Sequence, residues 1–238
     1  MKYDVIISSY NGQCYIREQI ESISNQIPSP EKIIIRDDGS TDLTISEINS
    51  FIDDNKLHSK IIVKSGKNLG YIKSFEALLS SCTEEVVFFS DQDDVWLPGK
   101  AKLILDALKE PSVNLVFTNA HVTDSKLEIK NELVNSSKAK YGLYDLLHTN
   151  IVTGATVAAK VNFIKNNCLP FLDSVPHDFQ MACKSAQLNS LKFINEHTIL
   201  YRQHENNQIG ASKKNLISRI CRNFTYSAYL RRKKELSY

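Results

Sequence analysis

The chain has 238 residues, 42% of them hydrophobic and 24% charged, and its 29 Lys and Arg against 27 Asp and Glu leave a formal charge of +2. That apolar share supports one large core or two small ones, and excludes a disordered chain, a collagen-like repeat and a small disulfide scaffold. No run approaches the roughly eighteen apolar residues that span a bilayer, and the opening Met1-Lys2-Tyr3-Asp4-Val5 lacks a signal-peptide pattern, so the expected location is the cytoplasm.

The first half repeats one pattern four times. Tyr3-Asp4-Val5-Ile6-Ile7-Ser8-Ser9 reads as a buried strand, and Ile16, Ile20, Ile23 and Ile27 form one helical stripe stopped by Pro28 and Pro30. Lys32 to Arg36 is the next strand, Asp37-Asp38-Gly39-Ser40 its loop, and a helix from Thr41 carries Ile45, Ile48 and Ile52. Lys60 to Lys64, the loop Asn68-Leu69-Gly70 and a helix with Ile72, Phe75, Leu78 and Leu79 make the third round. In the fourth, Glu85 to Ser90 leads into Asp91-Gln92-Asp93-Asp94, and a helix follows Pro98. Four strand-loop-helix units predict an α/β fold, a mainly parallel central sheet with helices on both faces.

The second half is less regular. A fifth strand is expected over Val113 to Thr118, a turn over Asp124 to Glu128 and a short helix over Tyr141 to His148. Ile151 to Ala159 is β-prone, Asp178 to Gln187 helical, and Leu191 to Ile194 and Thr198 to Tyr201 read as late strands. The expected organisation is one domain over 1–210 and a tail over 211–238.

Cys14, Cys82, Cys168, Cys183 and Cys221 are odd in number and never form a CxxC, which suits reduced core fillers rather than a zinc site or disulfide framework. The near-zero net charge hides an asymmetry: residues 213–238 hold eight basic residues against Glu235, a balance of +7, and the other 212 residues carry 21 basic and 26 acidic ones, −5. In the tail, Leu216, Ile217, Ile220, Cys221, Phe224 and Ala228 recur at helical spacing with Arg219, Arg222, Arg231 and Arg232 between them. Such a cationic amphipathic helix suits the inner face of the cytoplasmic membrane, or packs on its own domain. Nucleic acid is not an expected partner of an otherwise acidic domain.

Ligands of open parallel sheets bind beyond the carboxyl ends of the strands, and all four loops at that edge are polar and acidic. Neither GxGxxG nor GxxxxGK[ST] occurs there, so phosphate is not held by a glycine-rich or Walker loop. Aspartates crowded at one sheet edge repel one another unless water or a cation lies among them, and hard divalent ions such as Mn²⁺ or Mg²⁺ accept oxygen ligands and bridge diphosphates. The i, i+2 spacing at the end of a buried strand places Asp91 and Asp93 on one side, with Gln92 turned away.

The ordered set Ser9-Tyr10-Asn11, Asp37-Asp38-Gly39-Ser40-Thr41-Asp42, Asn68-Leu69-Gly70 and Asp91-Gln92-Asp93-Asp94-Val95-Trp96-Leu97-Pro98 resembles the signature of family 2 glycosyltransferases with the GT-A fold. His177-Asp178 and Tyr201-Arg202-Gln203-His204 resemble a bacterial, rhamnosyltransferase-like branch; many members have Glu-Asp where this chain has His177-Asp178. The resemblance spans residues 3 to about 210. It implies an inverting transferase moving a sugar from a UDP- or dTDP-linked donor, rhamnose among the candidates, to a saccharide or lipid-linked acceptor in surface-polysaccharide synthesis.

Carried onto this sequence, the resemblance puts Ser9, Tyr10, Asn11, Asp38, Asn68, Gly70, Asp91 and Gln92 around the nucleotide sugar, with Tyr10 against the base, Asp38 on base or ribose and Asp91 on the ribose. It makes Asp93 the ligand of a Mn²⁺ or Mg²⁺ ion and Asp178 the general base. Four positions carry two readings each. His204 completes the metal shell or merely satisfies a hydrogen bond; Arg202 pairs with the diphosphate or with an aspartate. Trp96 walls the sugar pocket or anchors the core, and Gly154 admits a sugar or marks a β-bulge. Two rival functions share these features, a sugar nucleotidyltransferase and a non-catalytic scaffold of a polysaccharide-assembly complex.

Overall fold

The computed structural model describes residues 1–134 and 140–204, together with Lys234 and Leu236. The remainder of the expected 211–238 tail lies outside the described residues.

Strands β1 (Tyr3–Ser9), β2 (Lys32–Asp37), β3 (Ile61–Ser65) and β4 (Val86–Ser90) pair in parallel, in the order β3-β2-β1-β4. Three of them are near-continuous apolar runs because helices cover both faces. Alternation divides each run between two cores. Val5, Ile7 and Phe88 join the cluster under α1 (Ile16–Ser24), α2 (Thr44–Asn55) and α4 (Lys100–Leu108). Ile6 and Phe89 join the one under α3 (Tyr71–Leu79), α5 (Leu143–His148), α6 (Val161–Asn167) and α7 (His177–Gln187). Three of the cysteines, Cys82, Cys168 and Cys183, are buried as expected, and Cys14 is exposed.

The chain leaves β1 for β2 on one side and returns to β4 on the other, so strand order reverses between β1 and β4. At such a reversal the two following loops part and leave a crevice for a ligand. Beyond β4 the nine-stranded sheet runs β8-β6-β9-β5, with β7 on the flank of β6. Here β5 is Val95–Trp96, β6 Leu115–Thr123, β7 Ile129–Glu132, β8 Val157–Lys160 and β9 Leu191–Arg202. β8 is antiparallel to both β4 and β6, whereas β9 is parallel to β6.

The second half departs from the sequence expectation in several places: β6 runs on to Thr123 and β7 is an added strand. Of the β-prone stretch, only Val157–Lys160 is strand, because Gly154–Thr156 closes into a 3-10 turn first. The two late strands are one, β9, with register shifts opposite Asn119. Asn119 absorbs the irregularity: its Nδ2 donates to Val134 O at 3.0 Å and to Asn195 Oδ1 at 2.9 Å, and its Oδ1 accepts from Val134 N at 2.9 Å. Helix α6 is unforeseen, since seven residues give too little periodicity to register. Among the described residues no helix is long and apolar enough to cross a membrane.

Candidate active site

The loops after β1 and β2 are stitched by side chains that the turn residues supply. Asn11 Oδ1 accepts from Thr41 N at 2.9 Å, Asn11 N donates to Ser40 Oγ at 2.8 Å, and Gly12 N donates to Thr44 Oγ1 at 2.8 Å. Asp37 caps its own loop, accepting from Gly39 N and Ser40 N, and buried Ser9 lies against it. Asp38 is buried and held on both oxygens: one meets the Arg36 guanidinium, the other accepts from Leu69 N at 2.9 Å and Gly70 N at 2.8 Å. Asp38 thereby welds the β2 loop to the β3–α3 loop. Asn68, exposed, accepts from Gly70 N at 3.0 Å. Gly70 sits at φ +77°, a left-handed backbone that only glycine adopts cheaply, and the turn it makes launches α3.

Across the crevice the β4–β5 loop meets the β1 loop through Gln92. Its amide accepts from Tyr10 N at 2.8 Å and donates to Tyr10 O at 3.0 Å. Gly12 makes this possible, because a Cβ there would lie 2.2 Å from Gln92 Oε1. The Tyr10 side chain is 38% exposed, its ring available to a ligand.

The acidic loop carries its charges in little water. Burial, then the charges of Asp93 and Asp178, push the half-buried Asp91 carboxyl up. Asp94 is fully buried, and burial with the Asp93 and Asp91 charges pushes it well up; its Oδ1 accepts from Arg202 N at 3.0 Å. Asp94 Oδ2 has no hydrogen-bond partner among the described residues. Asp93 Oδ2 lies 2.9 Å from His204 Nε2. A buried cation stands below: Lys100 donates to Ala155 O at 2.6 Å, lies 4.1 Å from the Trp96 ring centre, and burial draws its pKa down to about 7.

Arg202 makes a structural ion pair, though with Glu18 rather than with an aspartate. Its Nε donates to Asp93 O at 2.8 Å, Nη1 to Ser125 O at 3.0 Å and Nη2 to Glu18, and the guanidinium lies over the Tyr15 ring at 4.7 Å. A guanidinium so engaged anchors the acidic loop. Trp96 likewise is the core anchor, 3% exposed and packed on Phe88 at 5.5 Å. Gly154 opens a 3-10 turn rather than a β-bulge, and that turn backs onto the His177 ring and Asp178 Cβ.

Asp178 enters the first turn of α7, where the unpaired N–H groups favour negative charge. It accepts from Phe179 N at 2.7 Å, and the Phe179 and Gly154 amides oppose the burial that lifts its pKa to about 6. Next to it, His177 is 4% exposed among Phe75 (4.5 Å), Phe89 (5.3 Å) and Phe171 (5.7 Å). Neither ring nitrogen has a hydrogen-bond partner among the described residues, and burial drops its pKa to about 3.

The structure thus brings Tyr10 to Gln92, Asp38 to Gly70, Asp93 to His204, and Asp91 into the field of Asp178. Tyr15, Glu18, Tyr71 and Lys100 join the site without having been singled out from sequence. Among the described residues no preformed group of three or more His, Cys, Asp and Glu can cage a metal. The adjoining carboxylate and imidazole of Asp93 and His204 are donors that Mn²⁺ accepts, and would together fit part of the shell of such an ion.

The glycosyl transferase family 2 model matches residues 4–163. The dTDP-rhamnosyl transferase RfbG of Shigella flexneri is 30% identical over 215 residues, covering 87% of this chain and 74% of its own. Among solved structures, S. aureus TarS 1-349 in complex with UDP-GlcNAc overlays with a TM-score of 0.64 at 19% identity, covering 91% of this chain and 62% of that one. Glucosyl-3-phosphoglycerate synthase from Mycobacterium tuberculosis, in complex with Mn²⁺, UDP and glucosyl-3-phosphoglycerate, gives 0.60 at 16%, covering 94% and 80%. With its motif loops gathered at the strand reversal of a GT-A sheet, the chain belongs to glycosyl transferase family 2.

Proposed function

We propose that the protein transfers a sugar from a UDP- or dTDP-linked donor to a hydroxyl of a saccharide or lipid-linked acceptor, with inversion at the anomeric carbon. The observation that carries this reading is Asp178: a buried carboxylate with its pKa raised to about 6, whose charge, with that of Asp93, acts on Asp91. A base of that strength is ionised at neutral pH and takes the acceptor proton as the hydroxyl attacks. The name of the Shigella relative supports a dTDP-linked rhamnosyl donor.

In this reading Tyr10 offers its exposed face to the nucleobase, and the Gln92 clasp fixes that loop. Asp38 acts by fixing the two base-side loops, since three donors already occupy it. Asp91 holds the ribose. Asp93 and His204 hold a Mn²⁺ or Mg²⁺ ion, which when bound offsets the charge of the departing nucleoside diphosphate. The Mn²⁺ in the glucosyl-3-phosphoglycerate synthase structure supports a divalent metal in this reading.

Donor hydrolysis over a panel of UDP-, dTDP- and GDP-sugars with Mn²⁺ is the test, with the dTDP- or UDP-linked members expected to turn over. Thermal shift by UDP or dTDP with Mn²⁺ separates an enzyme from a scaffold; no shift and no hydrolysis sink the enzymatic reading. The basic tail is proposed, on sequence alone, to hold the protein on anionic lipid at the cytoplasmic face. Cosedimentation with phosphatidylglycerol vesicles, lost on removing residues 213–238, tests this.

A further inference from the structure

Tyr71 is the first residue of α3, immediately after Gly70, whose amide is fixed by Asp38. Its half-buried ring meets the His177 ring edge-on at 5.9 Å, and His177 precedes Asp178. The side chain therefore spans from the loop assigned to the nucleotide to the residue beside the base. No hydrogen bond occupies its hydroxyl among the described residues. Burial and the charges of Asp178 and Asp91 raise its pKa, so it stays a protonated donor within reach of both fields.

The two carboxylates whose charges reach Tyr71, Asp91 and Asp178, only accept when ionised. A sugar has hydroxyls and a ring oxygen that also need a donor. We infer that Tyr71 is a sugar-contacting specificity residue, its phenol donating a hydrogen bond to the transferred sugar. This rests on the nucleotide-sugar reading above and adds the residue that tells one sugar from another. A site built to hydrogen-bond a sugar oxygen discriminates against an analogue lacking it, because the phenol is then left unpaired.

The test is Tyr71→Phe in the full chain, which keeps the ring against His177. Calorimetry with dTDP, UDP, dTDP-rhamnose and UDP-GlcNAc in Mn²⁺, with donor hydrolysis, reads it. Nucleotide affinity should stay within about twofold, while affinity for the sugar nucleotide, or kcat/KM for its hydrolysis, falls by about three- to tenfold, the worth of one neutral hydrogen bond. A variant equal to wild type in both, or one that weakens dTDP and UDP as much as the sugar nucleotide, overturns the assignment. A wild-type protein that binds neither nucleotide overturns the transferase reading and the Tyr71 assignment with it.

Discussion

Gln92 closes a two-point clasp on the backbone of Tyr10, accepting from its N–H at 2.8 Å and donating to its carbonyl at 3.0 Å. A carboxylate can make only the first of these bonds, so Gln92→Glu should weaken UDP or dTDP binding by about three- to tenfold with the fold intact. Gly12→Ala should act alike by pushing the amide aside, its Cβ falling 2.2 Å from Oε1. Calorimetry of both variants decides: wild-type nucleotide affinity in Gly12→Ala would show that the clasp does not shape the base side.

Asp93→Asn removes the charge and keeps an oxygen for His204. Nucleotide binding should persist at its metal-free strength while the gain from added Mn²⁺ disappears. Titrations of dTDP with and without Mn²⁺ read the difference, and an undiminished Mn²⁺ effect removes Asp93 from the metal site.

Asp178→Asn should leave nucleotide affinity unchanged and reduce turnover by about 10² to 10⁴. In the wild type, turnover should fall as the pH drops through about 6, where the base takes up its proton. Stability has its own sign. The folded pKa is raised, so the ionised carboxyl disfavours the fold above about 6 and that cost vanishes below the ordinary value of 3.8. Asp178→Asn should therefore melt higher than wild type at pH 7.5, with the gap closing in acid; denaturation at the two pH values checks it.

His177 brings the opposite dependence. Its pKa falls to about 3 on folding, so the unfolded chain binds a proton first and stability is lost as pH drops from about 6.5 toward 3. His177→Phe abolishes that loss and removes two buried nitrogens without partners, which should stabilise by about 1 to 3 kcal/mol. Urea denaturation at pH 7 and pH 5 should show the advantage of the variant growing in acid. A destabilised variant at both would mean that the imidazole makes a needed bond.

The first-half units were legible because parallel strands covered on both sides leave uninterrupted apolar runs, such as Val86 to Phe89, bounded by polar loops. The loop motifs could be ordered along one sheet edge for the same reason. What sequence could not supply is partnership across distance. Arg202 pairs with Glu18, 184 residues away, and nothing local distinguishes that from an arginine awaiting phosphate. Trp96 follows the acidic loop in sequence, yet a two-residue strand turns it inward. Tyr71 drew no attention because its meaning depends on Asp91 and Asp178 arriving from β4 and α7.

The acidic loop leads into β5, whose Trp96 and Val95 pair with Ile199 and Leu200 of β9, and Arg202 and His204 follow at once. A strand synthesised last therefore clamps a loop synthesised more than a hundred residues earlier. The pairing of Asp93 with His204 thus depends on β9 being in place. A fragment ending before Ile199 would keep the acidic loop and Asp178 while lacking the β5 pairing, the Arg202 anchor and the His204 partner of Asp93.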